Sequence, residues 1–269
     1  SVLNDPAINM VAILTRHDLH SEQILSALQS GKHVYCEKPL AINPEQLEQI
    51  QKELQKEDQP LVTLGFNRRF APLAVELKGF IDQRHEPLYA HYRVNANVLP
   101  PEHWLIDPAV GGGRIIGEGC HFIDFLTFLV GENPIEVTAV GLPDNGKYSE
   151  DNVVMTFRFP DQSIGVVSYL ANGDKSYPKE YLEVFCGGRI AVIQDWRKLE
   201  LVGSHKRQVK RHVLQQDKGH QAAWQAFLAA VQGEQKSPIP YEQLLGVAQT
   251  SFAALDALRS GETVKIARE

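Results

Sequence analysis

Residues 10–66 read MVAILTRHDLHSEQILSALQSGKHVYCEKPLAINPEQLEQIQKELQKEDQPLVTLGF, and the alternation inside this stretch decides the fold. Met10–Leu14 (MVAIL) is short and wholly apolar, as expected of a parallel strand buried on both faces. Leu19–Gln29 then carries Leu19, Ile24, Leu25 and Leu28 at helical spacing, and Gly31 stands where a helix ends in a left-handed residue. His33–Cys36 (HVYC) is a second short strand, stopped by Pro39. Asn43 caps the next helix, with Pro44 at its first position and Leu47, Ile50 and Leu54 on its apolar face. Leu61–Phe66 (LVTLGF) is a third strand. Strands separated by helices of this length imply βαβ units and a parallel sheet.

Beyond about Arg69 the pattern changes. An amphipathic stretch, Pro72–Asp82, leads into Leu88–Asn97, where period-two alternation begins. Further strands are predicted at Glu136–Gly141, Asn152–Phe159, Ser163–Ala171, Tyr181–Cys186, Arg189–Gln194 and Lys198–Val202. The turn signals between them, such as Pro160-Asp161 and Gly187-Gly188, are too short for anything but antiparallel pairing. One helix, Gly117–Leu129, interrupts the strands, and Gly219–Gln232 and Tyr241–Ser260 close the chain. The reading is a parallel α/β segment, residues 1–70, followed by an α+β domain, residues 71–269, with a largely antiparallel open sheet. A three-stranded α/β sheet is thin, and little sequence precedes its first strand to cover that edge. Either the chain starts inside a domain or a partner completes the sheet.

The bulk numbers bound the function. The chain has 269 residues, 43% hydrophobic and 22% charged, enough for an ample core. A formal charge of −6 argues against nucleic acid as a main partner but leaves an anionic small substrate open. Cys36, Cys120 and Cys186 form no C-x-x-C pair and read as free thiols of a reducing compartment. Neither a secretory signal nor an apolar run near the roughly 18–20 residues of a membrane span is visible. A cytoplasmic protein with no membrane contact is the expectation.

Chemistry-bearing residues fall at the carboxyl ends of the strands, where ligands bind in open α/β sheets. Glu37-Lys38-Pro39 follows the second strand; a lysine there can polarise a carbonyl or shuttle a proton, against the plain alternative of an exposed lysine beside a loop proline. Thr15, His17 and His20 end the first strand where a helix begins, a place suited to phosphate or ribose oxygens. As a metal pair His17 and His20 lack a third ligand, so no metal is expected. Asn67-Arg68-Arg69 ends the third strand and holds anionic or hydroxylated groups, or consists of solvated arginines. In GGGRIIGEGCHFID (residues 111–124), His121 opens an apolar helix with Glu118 three residues before it and Asp124 three after. On one helical face a carboxylate would orient the imidazole; simple packing of His121 is the alternative. Asn95 and Trp104 are softer candidates, the latter as a platform for a sugar ring. A hydrolase using Cys120 is a poor fit, because adjacent helical residues make no nucleophile–base pair.

Taken in order, these signals resemble the glucose–fructose oxidoreductase/inositol dehydrogenase (Gfo/Idh/MocA) family. The matching segments are Asn4-Asp5-Pro6, Val11-Ala12-Ile13-Leu14-Thr15-x-x-x-x-His20, Gly31-Lys32-His33-Val34-x-x-Glu37-Lys38-Pro39-Leu40, Gly65-Phe66-Asn67-Arg68-Arg69-Phe70 and Gly112-Gly113 through Gly119-Cys120-His121-x-x-Asp124. The resemblance spans essentially the whole chain and implies a Rossmann domain for NAD or NADP, then a domain whose open sheet often makes a homo-oligomer. It implies Lys38 near the nicotinamide and the reacting oxygen, Glu37 on the nicotinamide ribose, and Thr15, His17 and His20 lining the cofactor crevice with Asn67 and Arg68 beside it. His121 becomes the acid/base, Glu118 its carboxylate, and Asn95, Trp104, Arg114 and Asp124 join Lys38 and His121 around a polyhydroxylated substrate. Two departures stand out. The Gly-x-Gly-x-x-Gly turn is absent, so the chain is expected to lack the N-terminal half of the Rossmann domain and to bind dinucleotide weakly. Where many members have Asp four residues before the histidine, this chain has Gly117. The 111–121 wording also resembles a branch fused behind a zinc-type alcohol dehydrogenase-like region. The expectation is an oxidoreductase of sugars, nucleotide sugars or cyclitols, inactive as this piece; the alternative is a non-catalytic sugar-sensing or dimerisation module.

Overall fold

A computed structural model describes residues 2–211 and 215–267. Strands β1 (Met10–Ile13), β2 (His33–Cys36) and β3 (Val62–Leu64) form a parallel sheet in the order β1-β2-β3. Helices α1 (His20–Gln29) and α2 (Pro44–Leu54) make the crossovers. The Asn43 side chain accepts the Gln46 N–H at 2.9 Å, so the cap read from Asn-Pro is built as expected. The expectation that β1 is buried on both faces is corrected. Only Ile13 of its four residues is buried, Ala12 is exposed and the adjoining Leu14 is 68% exposed. Central β2, flanked on both sides, buries Val34, Tyr35 and Cys36; β1 has a hydrogen-bonded neighbour on one side alone among the described residues.

A 3₁₀ turn, Asn67–Phe70, leads into α3 (Pro72–Ile81) and then β4 (Tyr89–Asn95). A single π-helical turn, Ile115–Gly119, runs directly into α4 (Cys120–Val130). There follow β5 (Glu136–Gly141), β6 (Asn152–Arg158), β7 (Ile164–Leu170), β8 (Glu180–Cys186), β9 (Arg189–Gln194), β10 (Lys198–Gly203) and β11 (Lys206–Arg211). Helices α5 (His220–Val231) and α6 (Tyr241–Ser260) and the two-residue β12 (Val264–Lys265) close the chain. The second sheet is nine-stranded, β11-β10-β9-β8-β4-β7-β6-β5-β12, and antiparallel except where β4 lies parallel to β7 with Tyr92 opposite Val167. Sequence reading missed β11 because KRQVKR, all exposed, shows no apolar alternation, and β12 because two residues carry no period.

One face of the large sheet is covered. Val153, Met155 and Phe157 of β6 and Val167 and Tyr169 of β7 meet Phe122, Phe125, Leu126 and Leu129 of α4 in one core. Each such side chain contributes about 1.5–3 kcal/mol on burial. The final helices reach back to the first sheet: the Tyr35 ring lies 5.0 Å from that of Trp224, and Tyr241 Oη accepts the Val62 N–H at 3.1 Å. This packing brings the carboxyl ends of β1–β3 against the π turn and α4. No helix among the described residues is long and apolar enough to cross a membrane.

Candidate active site

The crevice is built from the loops after β1 and β2. His20, wholly buried, sits with Nδ1 2.8 Å from the Pro39 carbonyl and Nε2 3.1 Å from the Thr15 carbonyl. It ties the two loops together rather than facing the opening. Thr15 lies on the rim, its hydroxyl donating to Gln23 at 2.9 Å. His17 Nδ1 donates to the Gly111 carbonyl at 2.8 Å, which leaves the lone pair on Nε2, and its ring meets Trp104 edge-on at 4.7 Å. Burial lowers the His17 pKa to about 4, a drop the Gly111 bond opposes and Lys38 and His20 assist. Glu37 is half-buried, its carboxylate against Gly65, where any Cβ would come within 2.8 Å of Oε1. Lys38, joined to Pro39 by a cis peptide, donates from Nζ to the Gly117 carbonyl at 2.8 Å.

That bond draws β2's loop onto the turn that carries His121. A Cβ on Gly117 would lie 2.6 Å from Leu105 Cδ1, 3.0 Å from the Gly111 oxygen and 3.1 Å from His17 Cε1. The position is therefore filled by its neighbours, and an Asp there would displace them. His121 is half-buried, its ring 6.0 Å from Phe66 and 6.4 Å from Phe122, with Nδ1 buried and without a hydrogen-bond partner among the described residues. Burial holds its pKa well below the usual histidine value, and the charges of Arg68 and Lys38 push the same way.

Neither carboxylate expected to orient His121 does so. Glu118 Oε2 accepts from Tyr169 Oη at 2.6 Å and pairs with Arg114 Nε at 2.9 Å. Although burial raises its pKa, Arg114 and the Tyr169 hydroxyl hold it below the ordinary value. The reason is geometric: the wider π turn takes Glu118 off the face it would share with His121 in an α-helix. Asp124, fully buried, is taken by Arg69, with contacts of 2.6–2.9 Å. The pair packs the 3₁₀ turn onto α4.

Other candidates are also engaged within the protein. Arg68 binds Glu180 through two hydrogen bonds of 2.9 Å with its guanidinium 5.2 Å from the Phe122 ring, and Asn67 Nδ2 donates to the Lys218 carbonyl at 2.7 Å. Glu180, 1% exposed, further accepts from Tyr92 Oη, Trp196 Nε1 and Lys218 Nζ. Arg114 donates to Tyr169 at 2.7 Å. Asn95 Nδ2 donates to the carbonyls of Asp174 and Tyr177, fastening a loop. The structure thus brings His17, Lys38, Glu118 and His121 into one cluster with Glu37 beside Lys38 and Trp104 against His17, and commits Asn67, Arg68, Asn95 and Asp124 to partners within the protein. Sequence reading missed Tyr169, Lys179 and Glu180; Lys179 lies within electrostatic reach of both Glu118 and His121. No motif marks these three, which come from strands and loops far along the chain. Among the described residues no three His, Cys, Asp or Glu side chains gather as a metal site.

Parallel strands joined by crossover helices, with polar residues gathered at their carboxyl ends, follow the Rossmann plan. Residues 1–66 match the oxidoreductase family with an NAD-binding Rossmann fold and residues 86–192 the GFO/IDH/MocA C-terminal domain; the chain belongs to the Gfo/Idh/MocA family. It is 29% identical over 191 residues to myo-inositol 2-dehydrogenase of Thermotoga maritima, covering 68% of this chain and 56% of that protein. It is 32% identical over 169 residues to 1,5-anhydro-D-fructose reductase of Ensifer adhaerens, covering 59% and 49%. The chain spans about half the length of the curated relatives it matches. In fold it is similar to levoglucosan dehydrogenase in complex with NADH and levoglucosan, with a TM-score of 0.84, 22% identity and 98% and 82% of the two chains covered. Aldose–aldose oxidoreductase from Caulobacter crescentus gives a TM-score of 0.84 at 18% identity, over 98% and 81%.

Proposed function

We propose that the chain carries the catalytic groups of an NAD- or NADP-dependent oxidoreductase that moves hydride between the nicotinamide and a hydroxyl or keto carbon of a sugar, nucleotide sugar or cyclitol. The observation that carries this reading is the convergence of Lys38 and His121, from two domains, through the Lys38–Gly117 bond. The nicotinamide end of the cofactor fits the crevice: the half-buried Glu37 carboxylate accepts no hydrogen bond among the described residues and suits a ribose diol. The chain has no Gly-x-Gly-x-x-Gly turn to cradle the pyrophosphate. When bound, the dinucleotide supplies the hydride chemistry.

The chain's own residues handle the oxygen and its proton. Lys38 Nζ places one N–H on Gly117 and has two more for the reacting oxygen, stabilising the charge that develops there. His121, neutral at pH 7 because burial disfavours its cation, takes the hydroxyl proton on oxidation and returns it on reduction. His17 stays neutral as well, and its Nε2 accepts from a donor in the crevice. The test is nicotinamide absorbance during incubation with NAD or NADP and myo-inositol, levoglucosan or 1,5-anhydro-D-fructose, for wild type and His121→Asn. Turnover abolished by the substitution supports the reading. The orphan Nδ1 of His121 favours the second reading, a sugar-sensing or dimerisation module; sugar binding without turnover, in protein shown by nicotinamide fluorescence to bind the dinucleotide, assigns it.

Assembly with further copies follows the same reading. The uncovered face of the large sheet carries Tyr89, Val154, Ile164 and Phe185, each 37–41% exposed, and we assign the homo-oligomer contact to it. Sedimentation of wild type and Ile164→Lys tests this, a monomeric wild type refuting it.

A further inference from the structure

Lys179 is a cation within electrostatic reach of Glu118 and His121 that has no side-chain partner among the described residues. It is half-buried, yet its ammonium makes no hydrogen bond or ion pair among the described residues. The carboxylates nearest in charge are committed elsewhere: Glu118 to Arg114 and Tyr169, Glu180 to Arg68, Tyr92, Trp196 and Lys218. Burial lowers the pKa of Lys179, the expected cost of withdrawing an ammonium from water without a full counter-charge.

The segment that carries Lys179 is held down. Asn95 Nδ2 donates to the Asp174 and Tyr177 carbonyls at 2.7 and 3.2 Å, and the Asn95 backbone N–H donates to the Lys179 carbonyl at 2.7 Å. Arg93 Nη1 donates to the Pro178 carbonyl at 2.7 Å, with its guanidinium 4.7 Å from the Tyr177 ring. A lysine on so many backbone anchors is pre-positioned rather than loosely solvated. Arg114, 2% exposed and bonded to Glu118, adds a buried Nη1 group with no acceptor among the described residues. Lys38, Lys179 and Arg68 all act on His121 as positive charges, opposed by Glu180.

Building on the oxidoreductase reading, we propose that Lys179 anchors an anionic group on the substrate, so that the polyol this site prefers is acidic, a sugar carboxylate of the uronate type. The anion offsets the half-buried ammonium and the positive field around His121, and it fixes which carbon faces Lys38. A carboxylate and a phosphate share this chemistry, and the probes below tell them apart.

The test is calorimetric titration of the chain with D-glucuronate, D-galacturonate, D-glucose, D-galactose and D-glucose 6-phosphate. Wild type, Lys179→Met and Lys179→Arg are compared, with circular dichroism confirming that each variant is folded. A uronate is expected to bind about 10- to 100-fold more tightly than its neutral sugar, the worth of a charge-assisted bond. Lys179→Met abolishes that preference and Lys179→Arg restores most of it. Tighter binding of the sugar phosphate than of either uronate assigns phosphate as the anion. Equal binding of acid and neutral sugar, a preference that survives Lys179→Met, or no binding of any probe overturns the proposal. Nicotinamide turnover on neutral polyols without acid preference leaves the oxidoreductase reading and removes this one; Lys179-dependent uronate binding without turnover, in protein shown to bind the dinucleotide, does the reverse.

Discussion

Lowering the pH should destabilise this protein through His17 by an amount its surroundings set. The folded state holds the His17 pKa at about 4, chiefly through burial, against 6.5 for the unperturbed side chain. The unfolded chain therefore binds the proton more readily than the folded one between those values. Stability is complete above pH 6.5 and falls as pH drops toward 4. At about 1.36 kcal/mol per unit, the loss is about 2 kcal/mol at pH 5 and about 3 kcal/mol at pH 4. Because His17 is only 5% exposed, solvent screening removes little of this. His17→Asn keeps a donor for the Gly111 carbonyl but cannot titrate. Urea unfolding of both proteins from pH 7 to pH 4 gives the answer by difference, since His121, whose pKa is depressed in the same direction, and the carboxylates contribute to both curves. The wild type should lose about 3 kcal/mol more than the variant across that range. Parallel curves would refute the reasoning, because they would mean that the His17 site admits water or a counter-charge.

Glu180→Ala should cost about 3–5 kcal/mol in urea unfolding, since it leaves Arg68 buried beside Phe122 without its counter-ion; a loss below about 1 kcal/mol would show that the cluster is solvated. Gly117→Ala should cost about 1–3 kcal/mol through overlap with Leu105 and His17, and Leu105→Ala in the same chain should recover part of the thermal midpoint. Lys38→Met should lower kcat about 10²- to 10³-fold with a smaller change in KM, by steady-state kinetics on whichever polyol is turned over. An effect confined to KM would make Lys38 a binding residue only.

The βαβ units of residues 10–66 were legible because strand and helix periods, the Asn43-Pro44 start and the Gly31 stop are written in neighbouring residues. So were the α3 and α4 segments and most of the hairpins. The positions of Glu37, Lys38 and His121 followed from strand ends and a helix start. What each polar group does with its hydrogen bonds did not follow. Glu118 and Asp124, three residues to either side of His121, belong to Arg114 with Tyr169 and to Arg69. The first outcome depends on a π turn that no local periodicity announces, the second on a 3₁₀ turn 55 residues away.

Glu180 takes Tyr92 from β4, which pairs beside β8, and Arg68 from a turn 112 residues away, and Tyr169 reaches Arg114 from β7, which β4 aligns in parallel. Sheet order and register choose such partners, and they are settled by how nine strands bury one face together. The sequence by itself determined which segments are helix and strand and which residue types stand at their ends, since local backbone preference and apolar period are short-range. Only the tertiary structure decided that, among the described residues, His121 lacks a carboxylate and Lys179 is left half-buried without a partner, and that Gly117 must have no side chain, since those depend on packing between residues distant in the chain.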